Sequence, residues 1–173
     1  IYQLINDVNK AVYEKSVSDS RFNGMGTTIV IVYIKDQKAY ISHVGDSRAY
    51  LIGESIEQIT MDDTLVNALV KSGTITKEEA KDHPRKNILL QAVGVSSPLK
   101  VSFYVEDISH KDVLICSDGL YNSLSDNQIL EIYHKYSSIE EIACHLLEKA
   151  KLIGGYDNIG FVLAQGGNNH ESY

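Results

Sequence analysis

At 173 residues, with 43% hydrophobic and 23% charged side chains, the chain has the size and composition of one ordinary globular domain. Sixteen basic residues against 23 acidic ones give a formal net charge of −7, and only Arg21, Arg48 and Arg85 are arginines, which excludes a nucleic-acid backbone binder built on clustered cations. Cys116 and Cys144 stand in apolar contexts without a CxxC spacing, and no signal peptide or membrane-length apolar run is visible, so a reducing cytoplasm is the expected compartment and a disulfide framework is not indicated.

Taken in chain order, Ile1, Leu4, Ile5, Val8 and Val12 repeat at helical spacing and predict an opening helix that ends before Ser16–Ser20. The β-branched run Thr27–Ile34 predicts a strand buried on both faces. Lys35-Asp36-Gln37 turns the chain into Lys38–Val44, and Gly45-Asp46-Ser47 turns it again into Arg48–Ile52, which reads as a three-stranded meander. Leu65, Val66, Leu69 and Val70 predict a helix stopped by Gly73; Thr76 and Glu79 form a capping box for a short helix bounded by Pro84. Strands are expected near Val101–Glu106 and Val113–Cys116. Capping boxes at Ser125–Gln128 and Ser138–Glu141 open two further helices, the second with an apolar face of Ile142, Ala143, Leu146, Leu147 and Ala150. A last strand covers Ile159–Ala164, before the polar tail Gly166–Tyr173, which is expected to fray.

Three acidic turns carry the chemistry. An apolar run ends in Ser117-Asp118-Gly119; Gly154-Gly-Tyr-Asp157-Asn158 leads into the last strand; Val44-Gly-Asp46-Ser joins two strands. Carboxylates held at strand ends suit a hard divalent cation, which takes oxygen ligands on a stiff support. Judged singly, each Asp is as well explained by turn chemistry, since Asp-Gly and Gly-rich acidic turns need no ligand. His43 alternates with Ala39 and Ile41 and reads as a buried, hydrogen-bonded histidine; His83 before Pro84 reads as a loop residue; Arg48 reads as a structural partner for nearby carboxylates. Gly24-Met-Gly26 lacks the Lys-Ser/Thr of a phosphate loop and reads as backbone packing.

In order along the chain, Gly24-Met-Gly-Thr-Thr28, His43-Val-Gly-Asp-Ser-Arg-Ala-Tyr-Leu51, the stretch Leu65–Gly94, Ser117-Asp-Gly-Leu120 and Gly155-Tyr-Asp-Asn158 resemble motifs of the PP2C (PPM) metal-dependent serine/threonine protein phosphatases, in particular the bacterial signalling type. The resemblance implies an α+β fold, an αββα sandwich of two mainly antiparallel sheets flanked by helices. It implies one domain over residues 1–165 with a flap at about 62–94. It assigns Asp118, Asp157 and Asp46 as metal ligands for two Mn2+ or Mg2+ ions, with a third held partly by Asp46. Residues Asp62, Asp63 and Thr64 fall in the flap near the substrate.

The family's phosphate-binding arginine and its Asp-Gly-Met-Gly-Gly-His segment, which supplies a bridging aspartate and a candidate general-acid histidine, have no counterpart here. The resemblance therefore implies an N-terminally incomplete domain whose first strands are missing, with no catalytic residue of its own and a tendency to self-associate. Asp63 stands where bacterial members carry histidine, and Gly160 where they carry threonine. Two function classes follow: a metal-dependent hydrolase of phosphoserine and phosphothreonine in proteins, opposing a cognate kinase, and a non-catalytic pseudophosphatase acting as an interaction module.

Overall fold

The apolar repeat near Ile1 closes into helix α1 (Tyr2–Ser18) in a computed structural model that describes residues 1–95, 98–154 and 157–166. The helix runs past its expected end. Ser16 Oγ and Ser18 Oγ donate to the carbonyls of Tyr13 (2.8 Å) and Lys15 (3.2 Å), so these hydroxyls bond back along the helix instead of breaking it. The apolar stripe is unequally buried: Ile5 is fully enclosed, Val12 half-buried, and Ile1, Leu4 and Val8 exposed.

Strands β1 (Ile29–Lys35) and β2 (Lys38–Val44) flank a two-residue turn in which Asp36 and Gln37 have φ of 50° and 59°, the doubly left-handed backbone that matches strand twist in a tight hairpin. Next come β3 (Arg48–Ile52), β4 (Ile56–Gln58), α2 (Leu65–Lys71), α3 (Lys77–Lys81), β5 (Ser102–Asp107) and β6 (Asp112–Cys116). The chain finishes with α4 (Asp118–Tyr121), α5 (Asp126–Lys135), α6 (Ile139–Ile153) and β7 (Phe161–Ala164). Residues 167–173 of the polar tail lie outside the described residues, whereas Gly166 is buried and its N–H donates to Asp112 Oδ1 at 3.0 Å.

Two sheets result, one ordered β1-β2-β5 and one ordered β4-β3-β6-β7. This corrects the expected meander. β2 and β3 are consecutive, but they belong to different sheets, because the Gly45-Asp46-Ser47 turn carries the chain from one to the other instead of folding it back. β1 is correspondingly an edge strand among the described residues. Tyr33 is 54% exposed and Ile34 39%, against the expectation of burial on both faces.

The described residues group into two compact units. In the first (residues 1–32, 41–47 and 61–104), Ile5 of α1 packs with Val44, Val93 and Leu99, and with the partly buried Ile29 and Ile31. Asn9 Oδ1 accepts the Gly94 N–H at 2.8 Å, satisfying a buried loop donor from the helix. In the second (33–40, 48–60 and the chain from Val105 onward), α5 and α6 lay Ile129, Ile132, Ile142, Leu146 and Ala150 over Tyr50, Ile52, Leu114 and Cys116 of β3 and β6. The register is antiparallel, with Ile52 opposite Asp112, Arg48 opposite Cys116, and Cys116 opposite Phe161 of β7.

Burial pushes the Tyr50 hydroxyl well above its usual pKa although Arg48 beside it works the other way. Burial, then the charge of Asp112, pushes Tyr133 up to about 12. Its hydroxyl donates to Asp112 Oδ2 at 3.0 Å, and Asp112 is thereby satisfied from both sides. Two of the three predicted capping boxes form in full, and at Ser138 only one half does, its Oγ accepting the Glu141 N–H at 3.1 Å. Ser125 Oγ accepts from the Gln128 N–H while Gln128 Oε1 accepts from the Ser125 N–H at 3.0 Å, and Thr76 and Glu79 do the same. Ser125→Ala removes one half of such a box and is expected to lower the unfolding free energy by about 1 kcal/mol, read as a shifted urea midpoint at unchanged slope.

Candidate metal centre

Asp118 and Asp157 are brought to the same end of the β6–β7 pair by a clasp between their loops. Ser117, the last residue before Asp118, donates its N–H to the Gly160 carbonyl at 2.8 Å and accepts the Gly160 N–H on Oγ at 3.0 Å. Its hydroxyl also lies 3.3 Å from the Asn158 carbonyl. Ser117 thus extends the pairing one step beyond the strands. Gly119 then passes so close to Asn158 that a Cβ there would collide with its carbonyl oxygen and lie 2.9 Å from its carbonyl carbon. Asp118, half-buried, opens the one-turn helix α4; Asp157, exposed, accepts the Asn158 N–H on Oδ1 at 2.7 Å, an Asx-type contact that orders the loop.

The third acidic turn is built differently. Gly45 has φ of 105°, a conformation that disfavours any Cβ, and a Cβ there would also clash with the Thr28 side chain. Thr28 Oγ1 and Ser47 Oγ are 2.7 Å apart, tying the second threonine of the Gly24–Thr28 motif to this turn. Thr27 pairs with Val93 in an isolated antiparallel bridge. His43 is fully buried, as expected, with Nε2 3.1 Å from the Gly45 carbonyl. Asp46 is half-buried at the centre of the turn.

Asp62, Asp63 and Thr64 do not form an open acidic surface. Asp62 is 8% exposed, and the Asp63 carboxylate accepts the Gly45 N–H at 2.9 Å while the Asp63 N–H donates to the Gly45 carbonyl at 2.8 Å. Thr64 caps α2 by accepting the Asn67 N–H. The Asp63 carboxylate is therefore turned inward, onto the Gly45 amide. Arg48 has aromatic partners: its guanidinium lies 3.5 Å from the Tyr121 ring centroid and donates to Tyr50 Oη at 3.0 Å.

Carboxylate and carbonyl oxygens are the donors Mg2+ and Mn2+ take, so the Asp118–Asp157 end fits part of a hard-cation shell. No group of three or more His, Cys, Asp and Glu side chains able to hold an ion occurs among the described residues. The roles of Ser117 and Asp63 were not read from the sequence. A hydroxyl residue directly before Asp-Gly at a strand end was the available signal for the first; for the second there was none, because its partner is 18 residues away.

A profile of the protein phosphatase 2C family matches residues 1–151. Over 167 residues the chain is 39% identical to serine/threonine phosphatase stp of Listeria monocytogenes serotype 4b (strain F2365), an overlap covering 95% of this chain and 66% of that protein. The crystal structure of serine/threonine phosphatase Stp1 from Staphylococcus aureus superposes with a TM-score of 0.89 at 36% identity, over 93% of this chain and 64% of that one. The catalytic domain of the serine/threonine protein phosphatase PstP, in complex with two manganese ions, superposes with a TM-score of 0.78 at 33% identity, over 91% and 66% of the two chains. The chain belongs to the protein phosphatase 2C family, and its fold is the α+β fold of two antiparallel sheets flanked by helices. It spans just under two thirds of the length of its Listeria relative.

Proposed function

We propose that the protein hydrolyses phosphoserine and phosphothreonine in other proteins, in opposition to a cognate serine/threonine kinase, cytosolic or membrane-bound. The observation that carries this reading is the Ser117–Gly160 clasp, which holds two carboxylates at one strand end in a chain of this family. Asp118 and Asp157, with Asp46 for a further ion, would hold Mn2+ or Mg2+, which when bound supplies an activated water and neutralises phosphoryl charge. Ser117 and the close passage of Gly119 fix the two loops, so the carboxylates need little reorganisation to receive a cation. Segment 62–94 is the proposed substrate-facing flap, with Asp62, Asp63 and Thr64 at its base. No helix among the described residues is long and apolar enough to cross a membrane.

The second reading, a non-catalytic interaction module, is favoured by the lack of a three-ligand cluster among the described residues. The two separate on the complete gene product assayed with a phosphothreonine peptide, with and without Mn2+. Metal-dependent turnover is expected, reduced about a hundredfold or more by Asp118→Asn, the scale on which one preorganised electrostatic contact acts. Turnover that survives in Asp118→Asn would remove that residue from the site. Mn2+ binding without turnover would leave the second reading standing.

A further inference from the structure

We propose that Asp63 is a positioning residue that holds the Gly45-Asp46 turn in place from the base of the 62–94 segment, so that the set of this segment fixes where the Asp46 carboxylate stands. The inference deepens the metal-site reading and rests on it. Both backbone polar groups of Gly45 go to the one residue: its N–H donates to Asp63 Oδ2 at 2.9 Å, and its carbonyl accepts the Asp63 N–H at 2.8 Å. His43 Nε2, 3.1 Å from the same carbonyl and 3.8 Å from Asp63 Oδ2, closes the far side. Because a carbonyl only accepts, that contact makes Nε2 the donor; the buried Nδ1 has no partner among the described residues, and Nε2 so committed does not accept the Gly45 amide in place of Asp63.

The other side of Asp63 is committed to its own segment. The Asp63 carbonyl accepts the Leu90 N–H at 2.7 Å, Leu65 N–H donates to the Ile88 carbonyl at 2.9 Å, and Thr64 bridges Leu89. Residue 63 therefore joins three strands of chain: the outgoing 62–65, the returning 88–90, and the turn that precedes Asp46. Thr28 and Ser47 pin the opposite flank of that turn, and Gly45 at φ 105° has no side chain with which to hold itself. An acid at position 63 supplies the acceptor oxygen directly, in a carboxylate only 17% exposed. Moving the 62–90 segment moves Gly45 with it, and Asp46 is the next residue.

The test compares Asp63→Ala, Asp63→Asn and Asp118→Asn on the complete chain, reading Mn2+ affinity by titration and hydrogen exchange of the Gly45 amide, with α6 amides as the reference for global opening. Asp63→Ala is expected to speed Gly45 exchange and to weaken Mn2+ binding, each by about tenfold, the range in which residues behind metal ligands act. Asp63→Asn keeps a side-chain oxygen for the amide and is expected to stay within about threefold of the wild type on both readings. Equal losses in Ala and Asn would overturn the proposal by showing that charge alone matters. Faster Gly45 exchange with unaltered Mn2+ affinity would reduce Asp63 to a structural role. If Asp118→Asn also leaves Mn2+ affinity intact, the metal reading itself falls and the positioning role with it; if Asp118→Asn abolishes binding and Asp63→Ala does not, only the positioning role falls. Should Asp63→Ala not fold, Asp63→Glu, which shifts the acceptor by one methylene, is expected to show both effects in smaller size, and wild-type affinity in that variant would overturn the proposal.

Discussion

Gly119→Ala is expected to destabilise the protein by about 3 kcal/mol, roughly 6–12 °C in melting temperature, and to weaken Mn2+ binding at least about tenfold. The added methyl meets the Asn158 carbonyl group, which is backbone and cannot rotate aside as a flexible side chain would. To admit it, the Asp118 turn and the Asp157 loop must part. That separation breaks the contacts Ser117 makes with Asn158 and Gly160, and the two carboxylates lose their common mounting. Gly160→Ala is the matched control, because a Cβ there meets only Ser117 Oγ at an ordinary 3.8 Å, and a change within about 1 kcal/mol is expected. Calorimetry and Mn2+ titration on the pair decide the matter. Equal behaviour of the two variants would show that the loops are not closely apposed.

Local chemistry was legible wherever it is decided within four or five residues. Thr76–Glu79 and Ser125–Gln128 satisfy their own helix starts, so the caps form wherever the helices go. β2 and β3 begin and end at the residues that alternation and turn signals marked. What failed depends on partners distant in sequence. Thr27–Ile34 is apolar enough for a central strand, yet its exposure depends on which strands lie beside it, and among the described residues only β2 does. The Gly45-Asp46-Ser47 turn looks like a hairpin because sequence displays its backbone freedom and not its direction. β4 and α4 are three and four residues long, too short to show a period.

The candidate site divides along the same line. Asp118 and Asp157 were visible as carboxylates at strand ends, and the family pattern gave them a role that an isolated Asp-Gly could not. Their juxtaposition is a matter of register: Cys116 opposite Phe161 puts Ser117 against Gly160, and nothing in either segment names the other. Asp63 shows the converse case. The family pattern placed it in the flap near the substrate, and its bond to the Gly45 amide could not be read there because the partner lies 18 residues away. A buried amide without an acceptor costs more than a carboxylate partly withdrawn from water when that carboxylate accepts the bond, so the inward position wins.

Leu146→Ala is expected to cost about 3–4 kcal/mol, seen as a lower urea midpoint at unchanged slope and a melting temperature lower by roughly 6–16 °C. Leu146 is wholly enclosed on the face of α6 that carries Ile142 and Ala150, over the β3 and β6 core of Tyr50, Leu114 and Cys116. Strands and helix are each fixed by their own hydrogen bonds, so the neighbours cannot collapse fully into the space left, and the loss combines transfer and cavity contributions. Leu147, half-buried one position on, loses less, about 1 kcal/mol on truncation. The informative comparison is with metal binding. Leu146 shares its core with Leu120 and Ile159, but the clasp itself is made by Ser117 and the backbone of Asn158 and Gly160, so the folded fraction of Leu146→Ala is expected to bind Mn2+ within about twofold of the wild type. Gly119→Ala loses stability and affinity together; Leu146→Ala loses stability alone. A Leu146→Ala protein with metal affinity reduced as far as in Gly119→Ala would mean that the clasp is held by the core behind it and not by Ser117 and the backbone contact at Gly119.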